Sequence, residues 1–425
     1  MGVALLVAGW LFLTFLGLPV AVSLITSCIT FMLFEGYGIP FVVQRMADNL
    51  NSFPLLAVPL FIFAGQLFNS AGISTKLFNF TKKLIGHIPG GLGHVNVLVS
   101  VFFSGMSGSA LADSGGLGLI EIKAMRDAGF DDEFSGCVTS ASSIIGPIIP
   151  PSITMVMYGV LTNTSTGKLF LGGIVPGLLL AFSLMVMVYV LSVKNNYPVS
   201  PKSTWKEIWF SYKESFWALL TPLIIIAGIF SGLFSPTEAA AITVLYAIAI
   251  DLLVYKELTL KKFISDLGET VKMSASIGLL VAAVGLFGYI ISRERVPQIV
   301  TEFILSYVDS QLGFFFISTI LILVLGAFIE SMAILLMVVP ILAPIAASFG
   351  IDPIHYGVII VLNLMISTLT PPMGVSLFVV SKVGDIPFFN LARSIIKWLI
   401  PIYIALIVLV LVPEIVTFIP NLSGL

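Results

Sequence analysis

SGMSGSALADSGGLG, residues 104–118, and SSIIGPIIPPS, residues 142–152, decide how this chain is read. Both set glycine, proline and small hydroxyl residues between long apolar runs, and the first carries a carboxylate, Asp113. The surroundings follow from composition: of 425 residues, 58% are apolar and 10% charged, with a mean hydropathy of +1.10. A soluble domain carries about 25% charge. This much apolar surface needs lipid as its solvent, where only helices and closed barrels satisfy the backbone. The apolar runs exceed the ~10 alternating residues of a barrel strand. The expected class is an all-α polytopic membrane protein. Irregular, polar backbone at membrane depth is tolerated only where it is buried in protein or lines a cavity.

Other functions find little support. A net charge of −2 and the lack of a basic cluster give no sign of nucleic acid binding. Cys28 and Cys137 lie in apolar surroundings and read as core residues. His87, His94 and His355 show no metal-ligand spacing. Neither a GxxxxGKS/T loop nor a GxSxG elbow occurs, so the chain is not expected to hydrolyse ATP or to act as an enzyme. The apolar N-terminus lacks a basic n-region and reads as retained membrane structure.

Working outward from the quoted stretches, residues 91–127 form two arms too short to span comfortably, which predicts a re-entrant hairpin. Residues 134–162 form a helix broken at Pro147, Pro150 and Pro151. Upstream, 2–34 would make one helix of about 50 Å, so a break at Gly17-Leu18-Pro19 is expected. Residues 36–52 read as a polar connection, 53–70 as a helix and 71–90 as a loop. Downstream come a span at 169–193, a separate interfacial helix at 203–217 rich in Trp and Lys, and spans at 216–233 and 237–255. Then the pattern returns: a span at 273–291, an interrupted apolar run at 314–347, a second broken helix at 355–383 holding STLTPPMGVS, and a last span at 396–419.

The return is regular. Gly105 and Gly326, Gly129 and Gly350, and Pro150-Pro151 and Pro371-Pro372 are all 221 residues apart. The resulting organisation is N-terminal scaffold helices at 1–52 and a first repeat at 53–195. An interfacial helix and central scaffold helices occupy 196–272. A second repeat spans 273–395, with its hairpin at about 314–347, and a C-terminal helix covers 396–425. Five crossings separate the starts of the repeats, so they enter from opposite sides, an inverted-topology architecture of secondary transporters. Basic residues divide sixteen to four if the 71–90 segment is cytoplasmic, with Arg45, Lys168, Arg293 and Arg295 outside. Both chain termini are then expected outside.

Such an architecture supplies a mid-membrane polar site from the breaks: freed carbonyls and hydroxyls coordinate a cation, and half-helix N-termini attract an anion. Na⁺, a hard cation that prefers oxygen, suits these hydroxyl-rich, weakly charged clusters. The first candidate sodium ligands are Ser104, Gly105, Ser107 and Ser109 at the hairpin tip, with Ser143, Gly146 and Pro147 at the break. The second set is Gly326 and Glu330 at the tip, with Thr368, Thr370 and Gly374 at the break. Candidate substrate contacts are Asp113, Ser142, Pro150, Ser152, Ser331 and Pro371. Any single serine could instead bond back to its own helix, and any glycine could serve packing. Asp113 and Glu330 could balance a cation, carry a proton or cap a helix. Glu121 reads as solvated, Asp251 with Lys256 as an interfacial pair, and Ser235-Pro236-Thr237-Glu238 as a capping box.

GMSGSALADSGGLG (105–118), SIIGPIIPPS (143–152) and STLTPPMGVSLFV (367–379) together resemble the large membrane subunit of TRAP transporters, the tripartite ATP-independent periplasmic family, over essentially the whole chain. The resemblance implies a small membrane subunit and a soluble periplasmic substrate-binding protein as partners, in a bacterial inner membrane. It implies Na⁺-driven uptake of an organic acid, a C4-dicarboxylate or a sialic acid, with no organic cofactor. It also implies an elevator in which hairpins and broken helices move against a scaffold. The alternative is a stand-alone Na⁺/dicarboxylate symporter without a binding protein.

Overall fold

The computed structural model describes residues 2–423, and the regular structure of those residues is all helical. The apolar N-terminal run breaks where expected, giving α1 (Gly2–Phe15) and α2 (Val20–Phe34). The next segment departs from expectation. Instead of a connection, α3 (Ile39–Leu50) forms an amphipathic helix with proline in its first turn, where the missing N–H costs nothing. A short 3₁₀ turn, Phe53–Leu56, leads into α4 (Ala57–Ser70). The expected loop at 71–90 is largely helix α5 (Ile73–Ile85). Ile73, Leu77 and Phe78 bury one face, and Lys82 and Lys83 sit in the last turn, where the helix dipole favours cations.

The first hairpin is present. α6 (Gly91–Ser107) turns at Gly108, whose φ of +60° suits glycine, into a return arm of α7 (Ala110–Ala112), a π-helical turn (Asp113–Leu117) and α8 (Gly118–Asp127). α9 (Asp132–Ser143) and α10 (Ile153–Thr162) are the halves of the first broken helix, followed by the long α11 (Thr166–Asn195). No separate interfacial helix exists at 203–217. A Thr204–Glu207 capping box starts α12, which runs unbroken from Trp205 to Phe230, with Trp205 and Trp209 exposed near its start. The second capping box is as expected: the Ser235 hydroxyl faces the Glu238 N–H at 3.3 Å, and the Glu238 carboxylate accepts from the Ser235 N–H at 2.8 Å. It opens α13 (Pro236–Ile250), extended by a π-helical turn, Asp251–Tyr255. Asp251 is not an interfacial ion pair. It is buried, and its carboxylate accepts the Glu257 N–H at 3.2 Å.

The second half begins inside α14 (Leu260–Arg293), which passes residues 272 and 273 without a break. α15 (Val296–Leu305), unanticipated, precedes the second hairpin, α16 (Gln311–Gly326) and α17 (Ser331–Ser348). α18 (Pro353–Ser367) and α19 (Val375–Gly384) form the second broken helix. α20 (Phe388–Leu411) and a short α21 (Glu414–Leu422) end the described chain. The starts of α9, α10 and α11 recur at α18, α19 and α20 within one residue of the 221 offset. Gly129 and Gly350 both take positive φ, and Asp131 and Asp352 both cap the following helix through their carboxylates.

Seven helices among the described residues are long and apolar enough to cross a membrane. α14 packs on α2, α3 and α4, while α4 packs on α13 and α5 on α12. The halves interlock through α10 on α17 and α9 on α19 and α20. Cys28 and Cys137 are buried and free, as core residues should be.

Candidate functional site

Each hairpin tip is pressed against the break of its own half by close approaches that only glycine allows. A Cβ on Gly108 would stand 2.5 Å from the Pro151 carbonyl oxygen, and one on Gly326 would collide with the Ser367 side chain. Gly146 in the first break lies against the Ser109 carbonyl carbon at 3.4 Å measured from an added Cβ. Gly105 is different: its open face is closed by Pro222 of α12, a packing role.

A cavity of about 350 Å³ lies where the two halves meet. Gly108, Ser109 and Ala110 of the first tip line it, with Pro147 and Ile153 of the first break. Glu330 and Ser331 of the second tip, and Thr368 and Val375 of the second break, complete the ring. The first turns of four helical segments, starting at Ala110, Ile153, Ser331 and Val375, therefore border one space. α14 and α4 close it with Met273, Leu280 and Ile62. No lysine or arginine lines it, so positive potential comes from peptide N–H groups and helix dipoles. The same arrangement can hold a carboxylate at helix starts and cations at carbonyls nearby.

The hydroxyls sort into two groups. Several bond to their own helix: Ser104 to the Val101 carbonyl (2.6 Å), Ser143 to Ser140 (2.8 Å), Thr368 to Met365 (2.7 Å) and Thr370 to Ile366 (2.9 Å). Ser152 donates to the Pro147 carbonyl at 2.5 Å and caps α10 by accepting the Met155 N–H. Ser109 caps α7 at 3.3 Å. Ser107 alone among the candidate ligands has a buried hydroxyl with no partner among the described residues. It borders a second cavity of about 270 Å³ between the hairpin and α4. Gly374, at φ +52°, leaves room for the Thr368 carbonyl, which accepts the Ser376 N–H at 3.1 Å.

The carboxylates are placed differently from one another. Glu330 faces the cavity and caps α17, accepting the Ala333 N–H at 3.0 Å and the Ser331 hydroxyl at 3.3 Å. Asp113 is buried behind the tip and does not line the cavity; nor do Ser142, Pro150, Ser152 or Pro371. Glu121 is not solvated. It is 1% exposed, inside a polar cluster that the sequence did not reveal. Asn96 donates to Glu121 and to the Thr139 hydroxyl, both at 2.8 Å, and accepts from Ser142 at 2.7 Å. An asparagine in the apolar run of α6 was the available signal, since a membrane helix carries one only with a partner.

Comparison with known proteins identifies the family of the chain. Residues 7–415 match the family described as "Tripartite ATP-independent periplasmic transporter, DctM component". The sialic acid TRAP transporter large permease protein SiaM of Vibrio cholerae is 51% identical over 415 residues, covering 97% of each chain. The sialic acid TRAP transporter permease protein SiaT of Haemophilus influenzae is 47% identical over 99% of this chain and 68% of its own. The C4-dicarboxylate TRAP transporter large permease protein DctM of Pseudomonas aeruginosa is 34% identical over 94% of each. A solved transporter, YdaH of Alcanivorax borkumensis, shares the fold with a TM-score of 0.59 over 89% of each chain at 12% identity. The chain belongs to the DctM component of the TRAP transporters; it is a transport subunit and not an enzyme.

Proposed function

We propose, from that membership, that the chain carries out Na⁺-coupled uptake of a sialic acid across the bacterial inner membrane. A small membrane subunit and a periplasmic substrate-binding protein would be its partners. The observation that carries the reading is the cavity ringed by both tips and both breaks, with helix starts and no basic side chain around it. An acid bound there meets oriented N–H groups rather than a fixed cation. Na⁺ would sit at the oxygen-rich contact of each tip with its break, Ser107 and Ser109 with Gly146 in the first half and Glu330 with Thr368 in the second. Such a cation would supply the charge that the lining lacks. The sugar acid is favoured over a C4-dicarboxylate by the higher identity to the two sialic acid relatives. Inverted repeats with interlocked hairpins suit an elevator, in which those elements slide as a body against α4, α12, α13 and α14.

The test is uptake of radiolabelled sialic acid into proteoliposomes holding this chain and its small subunit, with the binding protein outside. Uptake should need both an inward Na⁺ gradient and the binding protein, and should ignore ATP. Equal uptake without Na⁺ refutes the coupling; equal uptake without the binding protein favours the stand-alone symporter.

A further inference from the structure

A third cavity, of about 500 Å³, continues the groove beyond the one ringed by tips and breaks. The two share three walls in sequence. α14 lines the inner cavity up to Leu280 and the outer one from Val281. α10 supplies Thr154 to the inner cavity and Met157 to the outer, and α17 supplies Met332 and then Leu336. About one turn of α10 and of α17 separates them, while on α14 the two linings adjoin at Leu280 and Val281. The outer cavity lies toward the end of α14 that carries Arg293, the end the distribution of basic residues puts outside the cell.

Its walls are chemically unequal. α10 and α17 present Met157, Leu161, Leu336 and Pro340. The opposite wall is polar: Arg45, Asp48, Asn49 and Ser52, spaced i, i+3, i+4 and i+7, form one stripe on α3 and its end. Tyr289 and Ser292 of α14 face the same space. Arg45 lies over an edge-to-face pair of rings, its guanidinium carbon 5.1 Å from the Phe41 centroid and 4.7 Å from that of Tyr289, with the two centroids 5.2 Å apart. Those two contacts hold the guanidinium at the cavity wall through its faces, where cation–π attraction acts, and leave its N–H edges available. The ion pairs among the described residues are Arg126–Asp132, Lys262–Glu257 and Lys272–Glu269, so Arg45 has no carboxylate partner, not even the neighbouring Asp48.

We propose that this outer cavity is a second substrate site, where a polyhydroxylated monocarboxylic acid docks its carboxylate on Arg45 before it reaches the inner cavity. One oriented guanidinium accepts one carboxylate through paired N–H donors. Asp48, Asn49, Ser52 and Ser292 supply acceptors and donors for hydroxyl groups, and the apolar wall takes the carbon face of a sugar ring. A dicarboxylate would leave its second charge beside Asp48 with no cation to meet it. The polar wall belongs to α3 and α14, the apolar wall to elements that would travel, so the acid is held on the static side and released past a slippery one. The assignment deepens the sugar-acid reading above and rests on it.

The test measures equilibrium binding of radiolabelled sialic acid to the purified complex of this chain with its small subunit, without binding protein, in high and zero Na⁺. Wild type should show a Na⁺-dependent component from the inner cavity and a Na⁺-independent one from the outer. Arg45→Gln should weaken the Na⁺-independent component on the order of tenfold or more, the loss of a charge-assisted pair, and leave the other intact. Gly288→Leu fills the same cavity from a position where an added Cβ meets nothing within 4 Å, and should act alike without disturbing packing. Arg45→Lys should restore part of the loss. Unchanged Na⁺-independent binding in both Arg45→Gln and Gly288→Leu overturns the site. So does a wild-type signal that is lost when anionic phospholipid is added and not regained with excess acid, which would make the cavity a lipid headgroup site. Absence of Na⁺-dependent binding and of Na⁺-driven uptake in wild type would instead sink the sugar-acid reading itself.

Discussion

Substituting Gly108 by alanine tests whether the tip-to-break contact forms the first cation site. Two costs arise at this position. The φ of +60° places an L-residue in the left-handed region, about 1–2 kcal/mol. The new Cβ would also sit 2.5 Å from the Pro151 oxygen and 3.1 Å from its carbon. Both are backbone atoms and cannot rotate away, so the tip must lift from the break at a cost of about 1–3 kcal/mol. Gly129→Ala is the matched control, with φ +92° and no atom nearer than Pro198 Cγ at 3.9 Å, so it meets the first cost without the second. If Na⁺ binds as proposed, the bound state would need tip and break together, whereas the empty state would leave the tip free to relax. The second cost should therefore fall on Na⁺ binding, raising the Na⁺ concentration for half-maximal uptake about 5- to 150-fold. Gly129→Ala should lower the melting temperature of the purified complex and leave Na⁺ dependence unchanged. If Gly108→Ala melts lower yet keeps the wild-type Na⁺ requirement, the ion does not bind between this tip and this break.

Ser107→Ala should raise the Na⁺ requirement more than Ser143→Ala, because the Ser107 hydroxyl is buried without a partner and that of Ser143 is bonded to the Ser140 carbonyl; equal effects in Na⁺ titrations of uptake would remove that distinction. Glu330→Gln keeps an oxygen for the Ala333 N–H, so a Glu330 acting only as a cap should tolerate it, while a Glu330 that also balances the cation should lose Na⁺ affinity with little change in melting. Glu238→Ala should destabilise the complex by about 1 kcal/mol by opening the capping box of α13, read as a lower melting temperature with the Na⁺ and substrate dependence of uptake intact; normal melting with lost transport would mean the residue does more than cap. Asn96→Leu strips Glu121, Thr139 and Ser142 of a shared partner and should cost about 2–4 kcal/mol, measured by thermal unfolding, with a silent substitution refuting the importance of the cluster.

What the chain reveals before folding follows the chemistry of its punctuation. Hairpins and breaks were legible because Gly108, Gly326, Pro147 and the two Pro-Pro pairs interrupt runs that nothing else interrupts. The Ser235–Glu238 box was legible because a cap is local, three residues long. α3 and α5 were not read as helices, since their exposed faces carry polar residues and a hydropathy reading treats such stretches as connections. The helical period was nonetheless present in Ile73, Leu77 and Phe80, all buried in the fold. The polar, Trp- and Lys-rich first turns of α12 and its apolar remainder read as two elements, although no glycine or proline interrupts the chain between Trp205 and Thr221. Asn96 signals a buried polar partner in the sequence, but not that the partner is Glu121. The burial of Glu121 depends on Asn96, 25 residues away on the opposite arm of the hairpin, and on Thr139 in the broken helix.

The two halves share a frame and diverge at the atoms that would meet a ligand. The tip at Ser107–Ser109 offers hydroxyls and carbonyls without charge, while the tip at Glu330 brings a carboxylate into the same cavity. In a space with no basic side chain, that carboxylate repels an acid unless a cation or a helix start offsets it. Glu330 is offset by the first turn of α17, whose Ala333 N–H it accepts. That charged cap offsets part of the positive end of α17, whereas Ser109 and Ser152 cap the starts at Ala110 and Ile153 with neutral hydroxyls and the start at Val375 has no side-chain cap, so these three keep more of their attraction for an anion. An acid entering from the outer cavity would be drawn toward the first tip and away from the second. On the proposed reading, this asymmetry would orient an acid in the inner cavity with its carboxylate toward Ser109 and Ile153. A substrate analogue with its carboxylate amidated should then lose binding to the inner cavity while Na⁺ binding in its absence stays as in wild type; retained affinity of the amide would show that helix starts are not what holds the acid.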